Sequence, residues 1–242
     1  LMSYNVALPE KTSPADLMAL DIITEVLLLA PGAPLVMALL GEKIGDVVTG
    51  SFDSGVLQPV FSVITKNTNP DKKDEFVSII ENCLSDLVKN GINKKALEAA
   101  LNMYEFKLRE ADYGGASKGI IYTINSLSTW LYDENDPWSS FEFTDIFNSL
   151  RVNINTDYFE KLIEKYLLNN THKAIIICEP SLTVQTEKEN ELKEKLNNYK
   201  NSLSDEQIES IIESTKLLKE YQAAPDKKED LDTIPLLKKE DL

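Results

Sequence analysis

DVVTGSFDSGVLQPVFSVITK, residues 46–66, is the stretch whose reading decides the fold. Asp46 to Asp53 and Val60 to Lys66 read as two β-segments. β-branched and aromatic residues dominate both, Ser54-Gly55 separates them and Pro59 bounds the second. In the second segment Phe61, Val63 and Thr65 share one face, while Val60, Ser62 and Ile64 share the other. A sheet with one covered face is the expectation.

Outward from this pair, Ser3 to Leu8 reads as a further strand. Ser13 caps a helix that has Pro14 at its first position and Asp16 in its positive first turn, running to about Leu29. A short helix follows from Leu35 to Leu40. Downstream, Asn69-Pro70 opens a helix whose apolar stripe is Phe76, Ile79, Ile80, Cys83, Leu84, Leu87 and Val88, with Gly91 closing it. Asn93 caps the next, with Leu97, Leu101, Tyr104 and Leu108 on one face, and Gly114-Gly115 is expected to break it. Ser117 to Tyr132, Ser140 to Leu150 and Thr156 to Leu168 are also expected to be helical. Ala174 to Cys178 reads as a buried-type strand closed by Pro180.

From Thr186 the composition shifts to Glu, Lys and Asn. Leu192, Leu196, Tyr199 and Leu203 lie along one helical face, and Ser204-Asp205-Glu206-Gln207 is a capping box before a second helix. Ala223 to Asp232 reads as a charged linker, and Thr233-Ile234-Pro235-Leu236-Leu237 as an extended docking segment. The fold class is therefore α+β: an antiparallel sheet with helices packed on one face over residues 1–180, then an αα-hairpin over 181–242. Narrow stripes make the Thr186–Tyr221 hairpin the less stable unit.

Composition narrows function. A net charge of −15 repels phosphate backbones, which argues against a nucleic-acid partner. The apolar stretch Ile22 to Leu40 is interrupted by Thr24, Glu25 and Pro31-Gly32-Ala33-Pro34, which argues against a membrane span. Cys83 and Cys178 each sit in an apolar run and read as buried free thiols. A catalytic zinc needs about three protein ligands and an open position. With His172 as the one histidine, neither His-x-x-Glu-His nor His-Glu-x-x-His can occur, so no catalytic or metal residue is assigned. His172 sits where a helix ends and the chain turns. Gly114 to Gly119 lacks phosphate-loop spacing, and Glu110 with Asp112 do not share a helix face. Both ends read as cuts within a longer chain, and the Asn/Lys/Ile-rich composition points to a low-GC bacterium and a cytoplasmic setting.

Several motifs in order carry a resemblance. Leu27-Leu28-Leu29, Ala33-Pro34-Leu35 and Leu39-Leu40 with Gly45 resemble the second domain of the insulinase/pitrilysin zinc peptidases. Glu105 to Glu110, Gly114, Lys118-Gly119, Trp130-Leu131-Tyr132, Asp136-Pro137 and Leu167 to Pro180 are similar to its presequence-protease and falcilysin branch. Leu203-Ser204 to Gln222, Pro225-Asp226 and Ile234-Pro235-Leu236 resemble that branch's helical linker.

The resemblance implies a metalloendopeptidase of four related domains that closes around unstructured peptides. Its zinc lies in an earlier domain, and this chain's partners are the remaining domains of the same peptidase. It also implies a peptide-binding strand in this domain, here Thr49, Gly50, Ser51, Phe52, Asp53 and Ser54, with Phe52 and Asp53 standing where small or amide residues are usual. The other reading is a stand-alone α+β binding or structural module that engages a partner through its helical hairpin.

Overall fold

The computed structural model describes residues 1–234. The chain divides into two compact units, Leu1–Glu179 and Pro180–Leu242. Four strands form the sheet of the first unit: β1 (Met2–Ala7), β2 (Val47–Asp53), β3 (Val60–Lys66) and β4 (Lys173–Ile177). Their order is β2-β3-β1-β4, and every neighbouring pair is antiparallel. Period-two alternation separates the faces. Met2, Tyr4, Val6, Phe61 and Val63 point into the core. The opposite face carries a polar line across three strands. Ser62 Oγ donates to Asn5 Oδ1 (2.8 Å), and Asn5 Nδ2 donates to Ser3 Oγ (2.9 Å) and to the Ala174 carbonyl (3.1 Å).

Helices cover the apolar face. α1 (Pro14–Thr24) starts as the sequence dictates, with Ser13 Oγ accepting the Asp16 N–H at 3.1 Å, and continues through Glu25–Leu29 in wider π-type turns. The run Pro14–Gly41 is apolar enough to cross a bilayer by composition. It is broken before α2 (Pro34–Gly41), however, and Leu20, Ile22, Ile23, Leu27, Leu35 and Leu39 are buried in the core. α3 (Lys73–Asn90) follows a tight turn at Pro70–Lys72 and ends at Gly91, whose φ of 86° suits a residue without Cβ. Asn93 Oδ1 caps α4 (Lys94–Glu110) through the N–H groups of Lys95 and Ala96. α5 (Lys118–Trp130), α6 (Thr144–Asn153) and α7 (Tyr158–Leu162), which runs on through π-type turns at Ile163–Leu168, complete the layer. Phe76, Phe147 and Phe159 are among the largest side chains buried between these helices and the sheet. Each such side chain contributes about 1.5–3 kcal/mol on burial.

Four expectations need correction. α4 ends before Gly114-Gly115, because Ala111 takes a left-handed φ of 49° and its N–H closes on the Lys107 carbonyl. The helix expected from Ser140 to Leu150 is two pieces, a tight turn at Ser139–Phe141 and then α6. The Asp136 carboxylate binds both the N–H (3.1 Å) and the hydroxyl (2.6 Å) of Ser139, which favours a local turn over continuous helix. Finally, β4 is an edge strand and not a fully buried one. Ile175 and Ile177 face the core while Ile176 is 50% exposed, and Cys178 is exposed as well; Cys83 is partly buried.

The second unit contains α8 (Val184–Ser202), α9 (Asp205–Ala223) and α10 (Lys228–Leu231), the last within the stretch expected to be a charged linker. The capping box forms: Ser204 N–H donates to Gln207 Oε1 (2.9 Å) and Gln207 N–H to Ser204 Oγ (3.3 Å). No residue of α8 or α9 is buried. The expected extended segment Thr233 to Leu237 lies outside the described residues from position 235 onward.

Candidate functional site at a strand edge

Among the described residues, β2 has β3 on one side and no strand on the other. The phase of its hydrogen bonds follows from the register. Leu8 donates its N–H to the Pro59 carbonyl at 2.7 Å, and β1 pairs with β3 in the register that sets Met2 opposite Thr65. Phe61, Val63 and Thr65 therefore bond to β1. Val60, Ser62 and Ile64 turn their backbone groups towards β2. Their partners there are Asp53, Ser51 and Thr49. The backbone N–H and C=O groups that face outward belong to Val48, Gly50 and Phe52.

This sorts the six expected site residues. Gly50 and Phe52 present backbone groups at the open edge. Thr49, Ser51 and Asp53 spend theirs inside the sheet, and Ser54 lies beyond the strand. Val48 also belongs to the open edge; the hydrogen-bond phase that reveals it is set by the register with β3, which the sequence alone does not give. Gly50 is small for an internal reason. A Cβ there would collide with the Leu28 side chain and the Ser62 carbonyl, so the helix layer, not an approaching partner, requires glycine.

Beyond the end of β2, three concavities meet. Ser54 and Ser128 line all three, whose volumes are about 160, 510 and 220 Å³. The smallest is lined by Asp21 of α1, a carboxylate pushed up to about 7 by burial and by the nearby charge of Asp53. The same burial effect, with Asp21 and Glu25 close by, raises the Tyr104 hydroxyl. Asp21 stands inside the apolar run Leu17 to Ile23, and a lone acid in such a run is a signal that the sequence offers.

The other residues singled out from sequence do not converge. His172 is exposed, with its N–H bonded to Asn170 Oδ1 at 2.8 Å. Asp112 caps the Gly114 N–H at 2.9 Å, while Glu110 is exposed. Burial, then Asp86, pushes the Cys83 thiol up, away from a reactive thiolate.

Residues 178–242 match the family described as associated with peptidases, those of subfamily C in the sixteenth metallopeptidase family. Protein HypA of Clostridium perfringens is 39% identical over 99% of this chain and 25% of its own length. Presequence protease 1 of Arabidopsis thaliana, chloroplastic and mitochondrial, is 31% identical over 98% of this chain and 22% of its own length. The chain belongs to the presequence-protease branch of the insulinase/pitrilysin peptidase family. Its fold is that of the family's peptidase domains. The inactive peptidase domain of a candidate zinc protease from Bordetella parapertussis superposes with a TM-score of 0.55 at 15% identity, over 74% of this chain and 92% of that one.

This insulinase-family chain spans about a quarter of the length of the curated relatives it matches. The structural neighbour from Bordetella parapertussis is described as a candidate zinc protease, which raises the question of whether residues here fit the metal. Among the described residues no three His, Cys, Asp or Glu side chains come together as a metal site. The described donor set does not fit a catalytic zinc.

Proposed function

We propose that this chain is a non-catalytic α+β domain, residues 1–180, with the helical linker that follows it, residues 181–242, of a zinc-dependent metalloendopeptidase that degrades unstructured peptides in the cytoplasm. The metal and its ligands belong to the remaining domains, for which relatives four times as long leave room. The domain forms part of the wall around the peptide, and β2 receives the peptide as an added strand.

The observation that carries this reading is the open backbone of Val48, Gly50 and Phe52. Main-chain pairing on a sheet edge gives affinity that tolerates many sequences, which suits an enzyme handling unrelated unfolded peptides. The exposed apolar residues Leu192, Leu196 and Tyr199 of α8 support an assembly role, since they need a cover that neighbouring domains of the same protein would supply.

The test uses peptides, because proline at Ser51 would break the β2–β3 ladder and not the open edge. A fluorescent peptide bound to the full-length protein, with chelator present to stop turnover, is compared with its counterpart N-methylated at alternate residues. Losing two or three backbone hydrogen bonds at about 0.5–1.5 kcal/mol each lowers affinity roughly tenfold or more. Equal binding of both peptides would exclude strand addition.

A further inference from the structure

The groove of about 160 Å³ beyond β2 is smaller than a drug-sized pocket, which takes about 300–1,000 Å³, and suits a single side-chain head. Its polar lining is one-sided. Asp21 and Glu142 contribute carboxylates, Ser54, Ser128 and Ser140 contribute hydroxyls, and among the described residues no Lys, Arg or His lines it. Two features of this lining, and one beside it, are unexplained by the fold. The Asp21 carboxylate has no hydrogen-bond or ion-pair partner among the described residues, whereas Asp16 of the same helix accepts from the hydroxyls of Tyr158 (2.7 Å) and Tyr166 (2.8 Å). The Ser140 Oγ is fully buried and also has no partner. Asp53, at the end of β2, adds a second negative charge beside Asp21 instead of a compensating positive one.

A part-buried carboxylate without a partner is costly. The proton that relieves it can be replaced by any cation that brings hydrogen-bond donors. The groove offers such a group three acceptors, namely Asp21, Ser140 Oγ and Ser128 Oγ, whose own proton goes to the Asn125 carbonyl at 2.7 Å. Met18, Phe143 and Ile146 supply apolar walls for an aliphatic stem. Apolar walls beside a carboxylate suit an organic cation on an aliphatic stem.

We infer that this groove is a subsite for an ammonium or guanidinium group carried by a bound peptide, with Asp21 as its charge partner and Ser140 as a second acceptor. The inference rests on the strand-addition reading only for the peptide's path: Ser54, which lines the groove, directly follows the last residue of β2, so a peptide laid along Val48 to Phe52 reaches it. The titratable groups beside Asp21 are Asp53 of β2 and Tyr104 of α4, the latter also near Glu25, and Glu142 lines the same groove; none of them is cationic.

The test is fluorescence anisotropy on the full-length protein, chelator present, with C-terminally labelled ten-residue peptides. One carries a free N-terminus and one lysine, a second is acetylated at the terminus only, a third at the lysine only and a fourth at both. The doubly neutral peptide is expected to bind roughly tenfold more weakly, the worth of one charge-assisted hydrogen bond. The two singly acetylated peptides tell terminal from side-chain ammonium. Asp21→Asn abolishes the preference and Ser140→Ala reduces it about threefold, and the second variant decides if the first does not fold. An undiminished preference in either folded variant overturns the subsite. The N-methylated peptide separates the two readings. If backbone methylation weakens binding while Asp21→Asn keeps the preference, the edge stands and the subsite falls. If methylation has no effect while Asp21→Asn abolishes the preference, the subsite stands alone.

Discussion

The ammonium of Lys173 lies 2.9 Å from Oε1 of Glu81, so the first residue of edge strand β4 is pinned to helix α3. The Tyr4 hydroxyl donates to the same oxygen at 3.3 Å, and the ammonium also reaches the Leu168 carbonyl at 3.2 Å. Burial pulls the Lys173 pKa down, but the bonds to Glu81 and Tyr4 outweigh it and hold the group above its ordinary value. A cation with a raised folded pKa contributes stability below its unfolded pKa and loses it as pH rises through the folded value. Lys173→Met is expected to cost about 1 kcal/mol at pH 7. Urea unfolding should show the gap to the natural protein narrowing only above pH 10.5, the ordinary value for the group. A gap that narrows between pH 5 and 8 would contradict this origin.

Gly50 provides a second test, of why that residue is small. With Leu28 and the Ser62 carbonyl against its Cα, a methyl group must displace the helix layer or the sheet. Gly50→Ala is therefore expected to destabilise the chain by roughly 1–3 kcal/mol, the usual cost of overpacking. The readout is the denaturation midpoint with no peptide present. Normal stability combined with weakened peptide binding would instead make Gly50 a clearance for the partner.

The sequence shows most of this fold, because the signals are local. Ser13, Asn93 and Ser204 cap where their chemistry says they should, and alternation in Val60 to Lys66 places Phe61 and Val63 in the core. What it hides is relational. Five apolar residues from Ala174 to Cys178 look like a central strand, yet their exposure depends on which strands and helices end up beside them, and β4 is at the margin. Whether Ser51 or Gly50 offers its N–H to a partner is likewise invisible until the register with β3 is known. The groove behind β2 joins α1, α5 and the turn at Ser139–Phe141, segments separated by up to 119 positions between Asp21 and Ser140.

α8 and α9 bury no side chain, so their stability comes from caps and intrinsic propensity. Backbone amides there are expected to exchange with deuterium much faster than those of β1 and β3, whose neighbours include the buried Tyr4, Phe61 and Val63. Ser204→Ala removes the reciprocal bonds with Gln207 and should cost the helix about 1 kcal/mol, seen as lost helicity and faster exchange in the first turn of α9. Protection in α8 and α9 equal to that of the central strands would mean that a partner surface covers them.

Asp21 gives the prediction with the sharpest sign. Burial, then Asp53, raises its carboxyl to about 7 from the 3.8 expected when unfolded. The folded state thus holds this proton more tightly than the unfolded chain does. Stability associated with Asp21 is greatest when both states are protonated, falls as pH rises from about 4 and levels off above about 7. Asp21→Asn fixes the neutral form. The variant should match the natural protein near pH 3.5 and exceed it at pH 8, by an amount bounded at about 4 kcal/mol for a three-unit shift. Thermal unfolding of both proteins across that range isolates the effect, because every other titrating group is common to the two. A cationic peptide should narrow the gap from the other side, stabilising the natural protein at pH 8 more than Asp21→Asn, since it supplies the missing partner only where the charge remains. A variant no more stable than the natural protein at pH 8 would show that the Asp21 carboxylate already has a partner when ionised.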